Sequence, residues 1–325
     1  MDPSSSDTFT VADDEAGLTL AAWLRRRLSG QSWSTIRQHI ASRRVRINGE
    51  LCLDPARRLR GGEVIEFLSQ SAPKPRQPEM IVIRHLDEHV VVAEKPAGLN
   101  TVRHPAERRL SLTRQALSPT LEDLLPPLIA ERDGRQAKGP LPRLRVVHRI
   151  DKETSGLVVF ARTVQAERGL GRQFHRHTIW RRYLAVVVGI PASGRIESRL
   201  VRDRGDGRRG STSIPGLGKE AVTHVEVLER PGPYTLVACR LETGRTHQIR
   251  IHLAEQGHRI CGEKVYNRPL GGPPLPDTSG APRLALHAAE LGFVHPSTGA
   301  AMHWSTPLPA DLQTFIARLR QHKEK

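Results

Sequence analysis

The sequence predicts an α+β fold in two domains, and three observations carry that expectation. A chain of 325 residues exceeds the roughly 100–200 residues of one ordinary domain. Its apolar positions recur now at helical and now at strand spacing, in short strands mixed with helices and without the regular alternation of a doubly wound sheet. The stretch Ser69 to Glu79, with Pro73, Pro75 and Pro78, reads as a semi-rigid polar linker. The expected boundaries are a flexible tail over 1–8, a small module over 9–69, a linker over 70–79 and a large domain over 80–325.

In the small module, Leu20, Leu24 and Leu28 share one helical face, and Ser29-Gly30 closes the helix. Ser34 reads as the N-cap of a second helix carrying Ile36 and Ile40. Val45-Arg46-Ile47 and Leu51-Cys52-Leu53 flank Asn48-Gly49, a strong hairpin signal. Gly61-Gly62 then turns the chain into a strand from Val64 to Leu68. Between Arg25 and Arg60 lie ten arginines against two acids, Glu50 and Asp54. That cationic face is either a solvated helix surface or a contact for RNA.

In the large domain, Val90 to Ala93 reads as a buried strand ending in the turn Glu94-Lys95-Pro96-Ala97-Gly98-Leu99. Leu121 to Leu125 predicts a short helix stopped by Pro126-Pro127. Leu144 to Val147 and Leu157 to Ala161 predict strands on either side of a tight turn. Thr163 caps a helix with Ala166, Leu170 and Phe174 on one face, and Tyr183 to Gly189 returns as a strand. Arg202 to Gly218 reads as a mobile basic loop, Tyr234 to Leu241 as a strand, and His247 to Gln256 as a helix closed by Gly257. A loop over Gly271 to Pro282 precedes a hairpin from Leu291 to Trp304 around Pro296-Ser297-Thr298-Gly299. Leu312, Phe315, Ile316 and Leu319 give a last amphipathic helix.

The formal charge of +16 points to a polyanionic partner, because Lys and Arg that neutralise phosphates release condensed counterions. Nucleic acid is favoured over membrane. No apolar run approaches the ~18 residues of a membrane span, and Met1-Asp2-Pro3-Ser4-Ser5-Ser6-Asp7 lacks the regions of a signal peptide. A soluble, cytoplasmic chain is expected. Cys52, Cys239 and Cys261 are too scattered for a disulfide framework or zinc site and read as small buried apolar residues. His148, His247, His252 and His287 show no ligand spacing completed by a carboxylate or Cys. They read as structural histidines, and no metal is expected.

One run is the most informative: His148-Arg149-Ile150-Asp151-Lys152-Glu153-Thr154-Ser155-Gly156-Leu157-Val158-Val159-Phe160. It delivers a single carboxylate on a tight turn, where an enzyme would mount a nucleophile. Alone, such an Asp is ordinarily a turn residue in a surface ion pair. It has companions, however, in Arg182-Tyr183-Leu184-Ala185-Val186-Val187 and Gly244-Arg245-Thr246-His247-Gln248-Ile249-Arg250-Ile251-His252-Leu253. Together with Glu94 to Leu99, Arg283 to His287 and His295 to Gly299, these segments resemble, in order and spacing, the motifs of the RluA-type pseudouridine synthases. Those enzymes isomerise uridine in RNA to its carbon-linked isomer without a cofactor. The resemblance spans about residues 80–310. The small module resembles the ribosomal-protein-S-four-like RNA-binding domain along Ser34 to Ile40, Arg44 to Gly49 and Arg60 to Ile65.

The resemblance implies a pseudouridine-synthase fold: a central mixed, largely antiparallel sheet flanked by helices, with the cleft across it. It implies Asp151 as nucleophile, Arg250 as its ion-pair partner and Tyr183 as the ring against the target base. Arg149 would help to displace that base, and Arg37, Arg43, Arg44 and Arg46 would meet RNA from the small module. For Arg245 and Gln248 a loop-fixing role and an RNA contact stand level. A carboxylate beside a fixed guanidinium is ionised and oriented, and it can attack the anomeric carbon or add to the uracil ring. The expected partner is RNA, ribosomal by family association, and the expected state a monomer. The rivals are a non-catalytic RNA-binding or ribosome-assembly protein and a synthase acting on transfer RNA. A glycosidase generally needs a second carboxylate across the bond, and Glu153 would point elsewhere.

The chain departs from the family pattern in four places: Thr19-Leu20-Ala21 for Arg-Leu-Asp, Glu94 for Asp, Ile150 for Leu, and Cys261-Gly262-Glu263-Lys264-Val265-Tyr266-Asn267 where Gly-Asp and Tyr-Gly are usual. None is expected to touch Asp151, Tyr183 or Arg250.

Overall fold

The computed structural model describes residues 6–72, 81–110, 115–134 and 140–321. Residues 1–5 of the expected tail and 73–79 of the expected linker lie outside the described residues. The chain divides into two compact units, residues 1–77 with 103–119, and residues 78–102 with 120–325. The expected boundary at residue 80 thus does not account for 103–119, which group with the first unit.

The first unit runs β1 (Ser6–Thr10), α1 (Leu20–Arg27), α2 (Trp33–Ala41), β2 (Val45–Ile47), β3 (Glu50–Leu51) and β4 (Val64–Leu68). Its sheet order is β1-β4-β2-β3. The expected tail is corrected over residues 6–8: β1 pairs antiparallel along β4, and Phe9 packs edge-on against Trp23 at 5.8 Å, an apolar anchor that a tail would lack. The cap of α2 is Ser32 rather than Ser34, its hydroxyl accepting from Thr35 N at 3.2 Å. Asn48 and Gly49 take φ of 51° and 80°, the left-handed pair that a two-residue hairpin requires. Trp23, Leu24, Ile36, Ile40 and Ile65 fill the core.

The second unit begins with β5 (Val82–Leu86), β6 (Val90–Lys95), α3 (Leu121–Arg132), β7 (Arg145–Val146), β8 (Ser155–Ala161) and α4 (Val164–His175). It continues with β9 (Trp180–Val188), β10 (Gly194–Val201), β11 (Gly210–Thr212), β12 (Lys219–Glu229) and β13 (Tyr234–Leu241). It ends with α5 (Gln248–Glu255), β14 (Leu286–Val294), β15 (Ala301–Ser305) and α6 (Ala310–Gln321). The sheet order is β11-β10-β12-β13-β9-β14-β8-β6-β5, with β15 on β14 and β7 on β8. The pairing of β8 with β14 is parallel, while the others are antiparallel. The sheet is therefore mixed and largely antiparallel.

Strand β8 is buried on both faces, which is why it reads as an unbroken apolar run. Val158 and Phe160 join the core shared with α3, α5 and α6, and Leu157, Val159 and Ala161 join the core under α4. Helix α3 does not stop at Pro126-Pro127 but runs through both. Leu121, Leu125 and Ile129 along it are fully buried, and burial of about 2 kcal/mol for each offsets the cost of two interior prolines at about 3 kcal/mol each. The basic loop after β10 is more ordered than expected. It contains β11, Ser211 N donates to Glu255 Oε1 at 2.9 Å, and Arg199 donates to the carbonyls of Leu217 and Gly218. Cys239 and Cys261 are buried and Cys52 partly so. Among the described residues no helix is long and apolar enough to cross a membrane.

Candidate active site

Asp151 sits in the turn between β7 and β8, where Thr154 N donates to its carbonyl oxygen at 3.1 Å. The turn is clamped by the segment that follows β6. Thr101 Oγ1 donates to Ile150 O at 2.7 Å and accepts from Ile150 N at 3.2 Å. Lys95, with no exposed surface, donates to the carbonyls of Pro96, Leu99 and Lys152 at 2.9, 2.6 and 3.0 Å. Burial pulls its pKa down to about 7, against the opposing charges of Glu153 and Asp151. Gly156 sets the far side. Its φ is +116°, and a Cβ there would sit 2.2 Å from Ala288 O, so only glycine lets β8 enter its parallel pairing with β14.

Arg250, on α5, places Nη1 3.6 Å from Asp151 Oδ2. Its Nε and Nη2 donate to the two carboxylate oxygens of Glu263 at 2.7 Å each. Glu263 is wholly buried and also accepts from Val265 N at 2.7 Å and Tyr266 N at 3.2 Å. Burial works to raise its pKa, but the Arg250 hydrogen bonds and charge hold it below the usual carboxylate range. One departure from the family pattern therefore does reach the expected trio. Glu263 is the carboxylate that grips Arg250, a role its spacing in the chain did not show.

His247 faces the other oxygen, with Nε2 3.8 Å from Asp151 Oδ1. Its Nδ1 meets Tyr266 Oη at 2.7 Å, and burial pulls its pKa down against the opposing charge of Asp151. With φ of 60° as the N-cap of α5, it occupies the left-handed region, a strain that clusters at functional sites. The reading of His247 as merely structural left out this contact with Asp151.

A cleft of 650 Å³ has Arg149, Asp151, Arg181, Tyr183, Arg245 and Arg250 in its wall. Tyr183 is 8% exposed, and burial raises its phenol pKa. Gln248 is buried, its Oε1 accepting from Thr243 Oγ1 and Arg245 N and its Nε2 donating to Val222 O and Thr223 Oγ1. Its amide is spent on the loop. Arg245 ties Nε to Glu220 O at 2.8 Å and lines a second cleft of 670 Å³ with Arg202, Arg209 and Lys219. Among the described residues no three His, Cys, Asp or Glu are grouped to hold a metal ion.

In the first unit, Arg37 is exposed on α2. Arg43 Nε donates to Ala72 O at 3.3 Å. Arg44 donates to Leu68 O at 2.8 Å and lies over the Phe67 ring at 4.6 Å, and Arg46 is 3.6 Å from Glu66. The arginine-rich stretch is thus partly spent on holding its own fold, with Glu66 lying just beyond the segment that held two acids.

Comparison with known proteins places this geometry. The RNA pseudouridylate synthase model matches residues 89–255, and the S4 domain model matches residues 18–65. The ribosomal large subunit pseudouridine synthase D of Xanthomonas campestris pv. campestris is 37% identical, covering 98% of this chain and 94% of its own length. That of Nitrosomonas europaea is 36% identical over 96% and 87%. Among solved structures, human RNA pseudouridylate synthase domain containing 4 shares the fold, with 24% identity, a TM-score of 0.57 and coverage of 73% of this chain and 92% of that one. A family match over half the chain, relatives that align along nearly all of it, and a lone carboxylate held by a guanidinium in an open cleft agree: the chain belongs to the RNA pseudouridylate synthase family.

Proposed function

We propose that this enzyme isomerises uridines of ribosomal RNA to pseudouridine, with Asp151 as nucleophile. The observation that carries the reading is the fixed pair Asp151–Arg250 at 3.6 Å, with Tyr183 in the same wall. Ribosomal RNA is the substrate class that the relatives' names carry, and a synthase acting on transfer RNA is the alternative. Residues 9–69 serve as an RNA-binding module, and the large domain carries the chemistry. The enzyme acts as a cytoplasmic monomer.

In attack on the sugar, an Asp151 oxygen bonds to the anomeric carbon as the bond to uracil N1 breaks, and N1 keeps the electron pair. The base rotates, and its carbon five displaces the carboxylate. Carbon five then loses its proton and N1 gains one, so atoms and electrons balance without oxidant or reductant. In attack on the base, an Asp151 oxygen adds to the uracil ring instead; the bond from N1 to the anomeric carbon breaks, the base rotates and carbon five bonds to that carbon, and the carboxylate leaves the ring as the same proton leaves carbon five and N1 gains one. Tyr183 stacks on the base, worth about 1–3 kcal/mol, and assists removal of that proton. Arg149 helps to hold the target nucleotide out of its stack. Gln248 serves as a loop anchor, and Arg245, with Arg37, Arg43, Arg44 and Arg46, meets RNA through whatever donors the fold leaves over.

RNA carrying tritium at uracil carbon five is expected to lose label to water with the enzyme. Asp151→Ala should abolish release while RNA binding persists. Full release from the Ala variant would remove Asp151 from the mechanism. No release from the wild type would favour a binding protein on this scaffold.

A further inference from the structure

Arg181 stands on β9 two residues before Tyr183 and therefore on the same face of the strand. It is 7% exposed, a cation almost entirely removed from water. A buried guanidinium is stable when it faces an anion, as Arg250 faces Glu263. Arg181 has no such partner: among the described residues no carboxylate lies within ion-pair distance of it. Its Nη2 donates to a backbone carbonyl, Glu242 O, at 2.9 Å. Its Nε is buried with no hydrogen-bond partner.

The surroundings of Arg181 are neutral as well. The guanidinium lies over the Phe174 ring at 5.6 Å. His148, which stacks on Phe174 at 4.7 Å, is pushed down to about 3 by burial and by Arg181 itself. Tyr183 is held as the neutral phenol. Gly244 preserves the space, since a Cβ there would sit 2.5 Å from Nη1. This lone cation nevertheless lines the cleft of Asp151. The structure supplies a charge and a partnerless donor in the wall of the cleft that holds the reacting carboxylate and leaves the balancing anion to come from outside.

A uridine within RNA brings one anionic group per nucleotide, its phosphate. Resting on the reading of this cleft as a uridine-isomerising site, we propose that Arg181 binds the backbone phosphate flanking the target uridine. The base enters against Tyr183 while the phosphate lands on the guanidinium two residues earlier on the strand. This is a different contact from those of the solvated arginines on the protein surface. Their charges are already hydrated, whereas that of Arg181 is satisfied only when substrate is seated.

Initial rates of tritium release measured across a salt series test this, on uracil-labelled RNA from cells lacking the gene. For Arg181→Met, kcat/KM at low salt is expected to fall about tenfold, and its log–log salt slope to flatten by about 0.7, the value of one phosphate on a single strand. Arg181→Lys, which keeps the charge, should retain the wild-type slope. Arg181→Gln, whose amide can still donate to Glu242 O, provides a second charge-free variant, and thermal melts confirm that each is folded. A folded charge-free variant with the wild-type slope and kcat/KM would overturn the phosphate site. So would a loss confined to melting temperature, which would make Arg181 purely structural. If wild-type enzyme releases no tritium, the reading of the cleft fails, an outcome separate from either of these.

Discussion

Glu263 does not touch Asp151, yet it determines where Arg250 points. Two hydrogen bonds of 2.7 Å hold the guanidinium to a wholly buried carboxylate, leaving Nη1 toward Asp151. Glu263→Gln should strand that cation, at a cost of about 3–5 kcal/mol, seen as a lower urea midpoint. Tritium release should slow by tenfold or more because Asp151 loses a fixed neighbour. An unchanged midpoint and rate would mean that Arg250 is oriented by other contacts. Resemblance to the family's motifs named Asp151, Tyr183 and Arg250, and the fold brings all three into one wall. It could not show Glu263, because spacing does not say which carboxylate a guanidinium selects. Arg181 left a fainter signal, its period-two relation to Tyr183, which gains meaning only once its burial is known.

The element that carries Asp151 is fixed by the meeting of β8 and β14. Gly156→Ala would force a side chain into φ of +116° and against Ala288 O, at a cost of about 2 kcal/mol or more. Because Asp151 lies five residues earlier in the chain, the rate of release should fall further than the melting temperature alone explains. A variant with normal rate and stability would show that the junction tolerates a wider gap. Apolar, singly periodic elements such as β8 and α4 were legible in the sequence. Strand β10 was not: its residues alternate between exposed and half-buried along most of its length, and its order comes from pairing with β12 rather than from its own composition. Helix α3 was read too short, since a proline stop yields to three buried leucine and isoleucine side chains two turns apart in all.

Across the whole molecule, buried neutral histidines make stability depend on acid. Burial holds His252 and His287 down to about 4 and His148 to about 3, below the 6.5 of an exposed ring. Between those values the unfolded chain binds more protons, so stability present above about pH 6.5 is lost as pH falls toward 4. Each proton contributes a slope of about 1.4 kcal/mol per pH unit, so the three contribute about 4. Urea midpoints stepped through that range should decline, and His252→Gln should flatten the decline by about a third. An equal slope in the variant would place the acid sensitivity elsewhere.

The strand order has a consequence for how the molecule comes into being. Strand β14, built from residues 286–294 near the end of the chain, lies between β8 and β9. The turn of Asp151 and the strand of Tyr183 are therefore joined only when the last part of the chain arrives. A chain lacking residues 286–294 would leave β8 and β9 with open edges, each a template for pairing with other chains. Truncation before β14 is therefore expected to cost the site as well as the sheet, because the same strand closes both.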